Sequence, residues 1–424
     1  MSRSRFTSAT IDRSKPLSFL LLGTGGSAAV PVISCVTDPV NACACCRDTM
    51  PGGTGVNSKN RRGNTGGILR IPQLDGGEAT ILVDCGKTFR EQALRFFPEK
   101  GLRRIDACIL THHHADATDG LDDLRAWTNN SVIEATIPIY CNQTTYAYVK
   151  ASFPYMMDKK ASSGGGSVPS FQWHVLPENE DWNLFGVSIT PLPVHHGVYF
   201  NKVPREPLIC LGFLFDSSLL YMSDVSFIPE STWARLSDRL SLPSPAGYYS
   251  NKSLHRLGAL VIDVCGLRSG PSHFGLPQAI ETSRRLGARK TYFTDIGHLH
   301  SHEAYLAFSL AFERHATSSA IGIETNNRAV VKHEALGSGT PLWRIRTGHE
   351  RRPAFEHVYE AIDFRVDDLE LWAERGLEAV EEWAGGAGPG SWTRPAADGM
   401  TVSWEQHRPE TAWSSERVWD DEYE

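Results

Sequence analysis

The sequence predicts a mixed α/β fold in which two β-sheets pack face to face and helices flank them. Three observations lead there. Apolar, strand-like runs alternate with amphipathic helical stretches up to about residue 320. Histidine and aspartate, residues of metal-ligand type, stand at the ends of several of those runs. The first run closes on a Gly-rich turn, Gly23-Thr24-Gly25-Gly26-Ser27, with no helical pattern after it and no G-x-G-x-x-G, which sets aside a dinucleotide fold.

The elements follow in order. Residues 16–23 (PLSFLLLG) form the opening strand. Further strands are expected at 67–71, 80–84, 105–110, 137–141, 188–193, 208–215, 219–222, 259–263 and 290–294. Helices are expected at 87–97, 120–128, 144–153, 277–286 and 302–315, and 161–168 (ASSGGGSV) reads as a loop. After about residue 340 the texture changes. Val358, Ile362, Val366, Leu369, Leu371, Trp372 and Leu377 recur at helical spacing in an acidic stretch, and from Gly385 the chain mixes Gly, Pro, Trp and acids. The expected organisation is a flexible N-terminus (1–16), a main α/β domain (17–340), a helical extension (341–384) and a disordered tail (385–424).

Composition narrows the function. The chain has 424 residues, 41% hydrophobic and 21% charged, which describes an ordinary globular protein. A net charge of −7 argues against a general nucleic-acid binder, and the pairs Arg61-Arg62, Arg103-Arg104, Arg284-Arg285 and Arg351-Arg352 read as solvated surface. No run approaches the ~20 apolar residues of a membrane span, so no membrane partner is expected. Residues 1–15 lack an apolar segment, which excludes a secretory signal. Arg3, Arg5 and Arg13 against the single acid Asp12 keep a mitochondrial location open beside the expected cytoplasmic and the alternative nuclear one. Nine Cys, an odd count with four clustered, point to metal and free thiols rather than a disulfide framework.

The richest segment is Thr111-His112-His113-His114-Ala115-Asp116-Ala117, between an apolar strand and a turn into a helix. Side chains at i and i+2 of an extended segment point the same way, so His112 and His114 can share one ion and Asp116 can reach a second. The segment resembles the HxHxDH motif of the metallo-β-lactamase superfamily, with Ala117 where that motif has its last His. The resemblance implies a metallo-β-lactamase-like αββα four-layer sandwich and a metal-dependent hydrolase. It covers about residues 17–320 and continues through four further motifs. Residues 190–197 (TPLPVHHG) resemble the segment carrying the third ligand, here His196, with His195 pointing the other way. Residues 220–224 (LYMSD) resemble the motif whose Asp bridges two ions, here Asp224. Residues 292–298 (YFTDIGH) resemble the T-H-I-S-H segment of the phosphodiesterase branch, the phosphoribosyl 1,2-cyclic phosphate phosphodiesterase enzymes. Asp295 stands at the position of its second-metal His and His298 at that of its structural-zinc His. Asp116, Asp224 and Asp295 would then form an all-oxygen second site; His300 and His302 are spare residues that could complete it, with a surface role for both favoured.

The same branch has three Cys in the loop after the Gly-rich turn. Cys35, Cys43 and Cys46 match them, with Cys45 as the alternative, and together with His298 they imply a closed structural zinc site. The segment 59–67 resembles the branch's R-R-x-x-[ST] approach to the active site, which makes Arg61 and Arg62 candidate phosphate binders. Arg125 is a third candidate, with Asp122 or Asp123 capping the helix or orienting a ligand. Asp263 ends a strand, and His273 downstream stands at the position of the branch's general acid. His273 and Asp116 are thus the catalytic candidates, and His112, His114, Asp116, His196, Asp224 and Asp295 the metal candidates. The expected cofactors are a structural Zn and a catalytic Zn or Mn. The expected reaction is cleavage of a small or cyclic phosphodiester by metal-activated water. An RNA-processing nuclease is the first alternative, but no substrate-gripping arm is visible; a nucleic-acid partner is left open but not favoured. A thioester hydrolase is the second, though such enzymes keep the full motif. A zinc-stapled, non-catalytic binding protein is the third, suggested by Ala117 and Asp295. A homodimer is left open.

Overall fold

Alternation decides the layers. In the computed structural model, which describes residues 11–242, 257–320, 369–384, 392–406 and 417–423, the first strand, β1 (Leu17–Gly23), turns Leu17, Phe19 and Leu21 to one side and Leu20 and Leu22 to the other. β10 (Leu219–Met222) and β11 (Leu257–Asp263) behave alike: Leu219, Tyr221, Ala259 and Val261 join Phe19 in one core, and Leu220, Met222, Leu260 and Ile262 another. Strands buried on both faces read as continuous apolar runs, which is why these were visible in the sequence.

The remaining strands are β2 (Gly66–Pro72), β3 (Glu78–Val83), β4 (Ala107–Ile109), β5 (Ile137–Cys141), β6 (Phe171–Val175), β7 (Trp182–Leu184), β8 (Val187–Val198), β9 (Pro207–Phe215), β12 (Ala288–Thr294), β13 (Trp392–Pro395), β14 (Thr401–Trp404) and β15 (Val418–Asp420). They form an eight-stranded sheet, β15-β14-β1-β2-β3-β4-β5-β6, and a seven-stranded sheet, β13-β12-β11-β10-β9-β8-β7. One core fills the space between the sheets. The outer face of the first sheet is covered by α1 (Phe89–Glu99) and α2 (Gln143–Ser152) through Phe89, Phe96 and Val149. The outer face of the second is covered by α3 (Glu230–Leu240), α4 (Leu276–Leu286), α5 (His302–Ala320) and α6 (Leu369–Ala384), through Trp233, Leu236, Ile280, Phe308 and Trp372. Helix, sheet, sheet and helix make the expected αββα sandwich. Among the described residues no helix is long and apolar enough to cross a membrane.

The expected organisation needs correcting at both ends. The stretch assigned to a disordered tail supplies β13, which extends the second sheet beside β12, and β14 and β15, which extend the first beside β1. Each strand is short, too short for composition to betray it, yet Val402 and Trp404 are buried because they alternate into the inter-sheet core. Residue 340 is therefore no fold boundary. At the other end, Ile11 bridges Gln73 and Arg13 pairs with Asp216 at 2.6 Å, so the described part of the expected flexible N-terminus is anchored. Residues 1–10 lie outside the described residues, as do 355–368, where the helical reading of the extension began; α6 is its described part.

The topology also places the chemistry. β3, β4 and β5 run parallel, as do β10, β11 and β12, and the carboxyl ends of these strands lead into the loops carrying Asp84, His112, Asp224, Asp263 and Asp295. Ligands gather at such ends in α/β sheets because the loops there converge.

Candidate metal centre

His112, His114 and His196 bring donor atoms within 4.8 Å of one another, and His112 and Asp224 belong to a second such group with Cys210. Two hydrogen-bonded relays fix which ring nitrogen faces inward. The carboxylate of Asp84 accepts the Thr111 backbone N–H at 2.8 Å and the Thr111 hydroxyl at 2.9 Å, and that hydroxyl lies 2.9 Å from His112 Nδ1. A hydroxyl whose proton is given to Asp84 can only accept from Nδ1, which leaves the Nε2 lone pair of His112 for the centre. That Nε2 is buried with no hydrogen-bond partner among the described residues. His196 Nδ1 likewise faces the Ser272 carbonyl at 2.8 Å, turning its Nε2 to within 3.1 Å of His114 Nδ1 and 3.8 Å of Asp224 Oδ1. Burial pushes the His112 and His114 imidazoles down, His114 to about 4, so both are neutral donors near neutral pH. Burial alone would raise Asp224; the rings of His112, His196 and His273 outweigh it and hold the carboxyl below its ordinary range. An orphaned buried nitrogen, three inward imidazoles and an ionised carboxylate fit one Zn- or Mn-type ion.

His273 lies beside this set, its ring centroid 4.8 Å from that of His196. Its Nδ1 is 3.0 Å from Asp263 Oδ2 and 2.8 Å from Asp295 Oδ2. Burial would lower the imidazole, but the two carboxylates overrule it and hold its pKa well above the ordinary value. Burial pushes Asp263 up to about 6 and Asp295 above the ordinary carboxylate range. Asp295 therefore pairs with His273; among the described residues the all-oxygen site expected from Asp116, Asp224 and Asp295 is not assembled as one donor group, and His273 shares one group with Asp224 and another with Asp295. Asp116 is buried near Asp224, whose charge adds to burial in raising it, but its oxygens join no donor group among the described residues.

The family model for the beta-lactamase superfamily domain matches residues 79–296, just over half of the chain and every centre residue from Asp84 to Asp295. The chain belongs to the beta-lactamase superfamily. A curated relative, an octanoyltransferase of Porphyromonas gingivalis strain ATCC BAA-308 / W83, is 24% identical over 281 residues, 66% of this chain. The chain spans about half the length of that relative, 46%. Among solved structures, a diphosphatase of the PhnP family is 28% identical with a TM-score of 0.49, covering 68% of this chain and 89% of its own. Unliganded yeast PDE1 is 13% identical with a TM-score of 0.47, covering 91% and 99%. The superfamily is hydrolytic, and the donor clusters described above are candidate metal sites within it.

A second cluster lies outside the matched superfamily segment. Sulfurs of Cys35, Cys43 and Cys46 and a ring nitrogen of His298 lie within 4.8 Å of one another, with Cys43 Sγ 3.5 Å and Cys46 Sγ 3.7 Å from His298 Nδ1. Backbone N–H groups of Cys43, Cys46 and Val32 donate to the three sulfurs, as expected around thiolates. Cys45, the alternative ligand, is buried outside this group; its thiol hydrogen bond, ahead of that of His298, helps draw Cys43 down to about 3. All nine cysteines are free. Three sulfurs and one imidazole with no open position suit structural zinc. Cys43→Ser is expected to lose about one ion per chain and lower the thermal midpoint by roughly 5 °C or more. Metal analysis with a melting curve checks this; unchanged values would remove the site.

The arginine expectations fare differently. Arg62 is fully buried and donates to the Gly297 carbonyl at 2.8 Å and to Asn60 Oδ1 at 3.2 Å, so it clamps the loop carrying His298 and cannot meet substrate. Arg125 pairs with Asp122 at 2.8 Å, and neither Arg61 nor Arg125 lines the cavity at the centre. That cavity, about 780 Å³, opens on His114 and His196; Tyr199, Phe227 and Trp233 wall it, and its cations are Arg205 and Arg285. Nothing marked these residues in the sequence, since Arg205 sits in the β8–β9 connection and Arg285 in a pair read as surface. His195 packs on Phe227 at 5.3 Å between ring centroids, as expected of a side chain pointing away from the ligands. His302, assigned to the surface, is buried against the Tyr423 hydroxyl at 2.8 Å, and His300 meets Trp372 Nε1 at 3.1 Å.

Proposed function

We propose that this chain is a metal-dependent phosphodiesterase acting on small or cyclic phosphodiesters. The observation that carries it is His273, gripped at Nδ1 by two buried carboxylates and sharing a donor group with His196 and Asp224, beside a cavity that His196 lines. Cleaving a phosphodiester requires a proton for the departing oxygen, and a ring held at one nitrogen presents the other for that transfer. His112, His114, His196 and Asp224 would hold a metal ion, which would supply water activation and charge neutralisation at the phosphoryl oxygens. The relay from Asp84 through Thr111 keeps His112 in the donor tautomer, and the Ser272 carbonyl does the same for His196. Asp263 and Asp295 hold His273 in place, and Asp263 is itself anchored by the Val225 N–H at 2.9 Å. Arg205 and Arg285 offer charge to the phosphate, and the aromatic wall takes an apolar ester group.

The test is hydrolysis of bis(p-nitrophenyl) phosphate and of an acyl thioester by the same protein after Mn or Zn addition. Phosphodiester cleavage that depends on added metal is the expected result. Thioester cleavage without phosphodiester cleavage would overturn the reading in favour of acyl chemistry.

A further inference from the structure

A centre of this superfamily typically holds two ions, and the carboxylates expected at the second, Asp116, Asp224 and Asp295, do not gather into one donor group among the described residues. Ala117 offers no ligand atom where the superfamily motif places a His. Asp295 lends Oδ2 to His273 Nδ1 at 2.8 Å, and Asp263 takes the same nitrogen at 3.0 Å. Donor atoms of His196, Asp224 and His273 lie within 4.8 Å of one another, and so do those of Asp263, His273 and Asp295. His273 belongs to both groups. No such group among the described residues joins Asp295 to Asp224, and Asp116 enters none.

The surroundings hold this arrangement in place. Asp295 adopts a left-handed conformation, φ 58°, which a short polar side chain tolerates better than most. The Gly-rich turn closes on its other face: a Cβ at Gly26 would lie 2.8 Å from Asp295 Oδ1, so a side chain there would have to displace the carboxylate. The carboxylate is thus wedged between turn and imidazole.

We propose that the catalytic centre takes a single metal ion and that the His273 imidazole fills the place of the second. The two substitutions then belong together. Losing the nitrogen at 117 removes a ligand, and an aspartate at 295 accepts a hydrogen bond from the ring that a histidine there could not accept while serving as a ligand through the same face. The centre is a distinct solution rather than a decayed one.

The proposal rests on reading His112, His114, His196 and Asp224 as a metal centre. Its readouts are metal content and spin coupling, so failure of the phosphodiesterase reading would leave it standing. The full chain is saturated with Zn, then with Mn, desalted, and examined by elemental analysis and electron paramagnetic resonance. The expected result is about two ions per chain, one in the Cys site and one in the catalytic centre, with the spectrum of isolated Mn. About three ions per chain, or the multiline spectrum of an exchange-coupled Mn pair, overturns it. A count of about one, with Mn absent, overturns it as well. The combined change Ala117→His, Asp295→His and His273→Ala is expected to raise the count by about one; a folded variant, by circular dichroism, that gains no ion counts against the proposal. If that variant does not fold, the wild-type count and spectrum decide.

Discussion

Asp224→Ala is expected to reduce turnover by about a thousandfold or more while leaving the metal at the Cys site in place. Asp224 is 2% exposed and meets the His112, His196 and His273 donor groups at once, so no neighbouring side chain can replace it. Removing it leaves inward-facing imidazoles without their counter-charge and opens a water-sized gap among them. His114→Ala should act alike, since His114 Nδ1 and His196 Nε2 converge to 3.1 Å. Thr111→Ala is the informative contrast. It removes the hydroxyl between Asp84 and His112 without touching the centre, and should cost about 10–100-fold by loosening the tautomer and orientation of His112. Steady-state rates on metal-saturated protein, with metal content measured on the same samples, check all three. Asp224→Ala protein that keeps more than a tenth of wild-type turnover while fully loaded would sink the assignment.

Much of this site was legible because its residues are chemically rare and fall at strand ends. His112, His114, His196 and Asp224 each follow an apolar run, and the run itself fixed which way they face. The Cys cluster was legible for the same reason, since four thiols in a polar loop serve no core. What stayed hidden was the pairing of side chains across loops. Nothing local shows that Asp295 turns to His273 rather than to Asp224, or that Arg62 is drawn inward by the Gly297 carbonyl. Asp84 was placed at the end of an expected strand, but its link to His112 runs through Thr111, 27 residues on. The fold shows the same division. Long strands buried on both faces announced themselves, whereas β6, half-exposed at a sheet edge, and the three-residue β7 did not. The helix α3 was missed although Thr232, Trp233, Leu236 and Leu240 are buried at helical spacing, because Glu230, Arg235, Asp238 and Arg239 interleave with them and blur the apolar face.

Deleting residues 385–424 is expected to abolish soluble folding, the opposite of what a disordered tail would give. The deletion removes β13, β14 and β15 and with them Ala396, Met400, Val402, Trp404 and Val418 from the inter-sheet core, where Trp404 is fully buried. At about 1.5–3 kcal/mol for each large side chain, the loss is on the order of 10 kcal/mol, comparable to the whole stability of a typical domain. It also turns β1 and β12 into open edges, templates for pairing with other chains. Polar links fail with them. Asp398 accepts the Gly63 N–H and the Thr24 hydroxyl, both at 2.7 Å, and so ties the tail to the turns that lead into the catalytic centre. The Tyr292 hydroxyl donates to Asp420 at 2.9 Å. Asp398→Ala isolates the polar part and should cost about 2–3 kcal/mol by stranding those donors. Soluble yield, size-exclusion profile and thermal melts of the truncated and point variants separate the two contributions. A truncated chain that is monodisperse and melts cooperatively within a few degrees of the full chain would show that the sandwich closes without its last three strands.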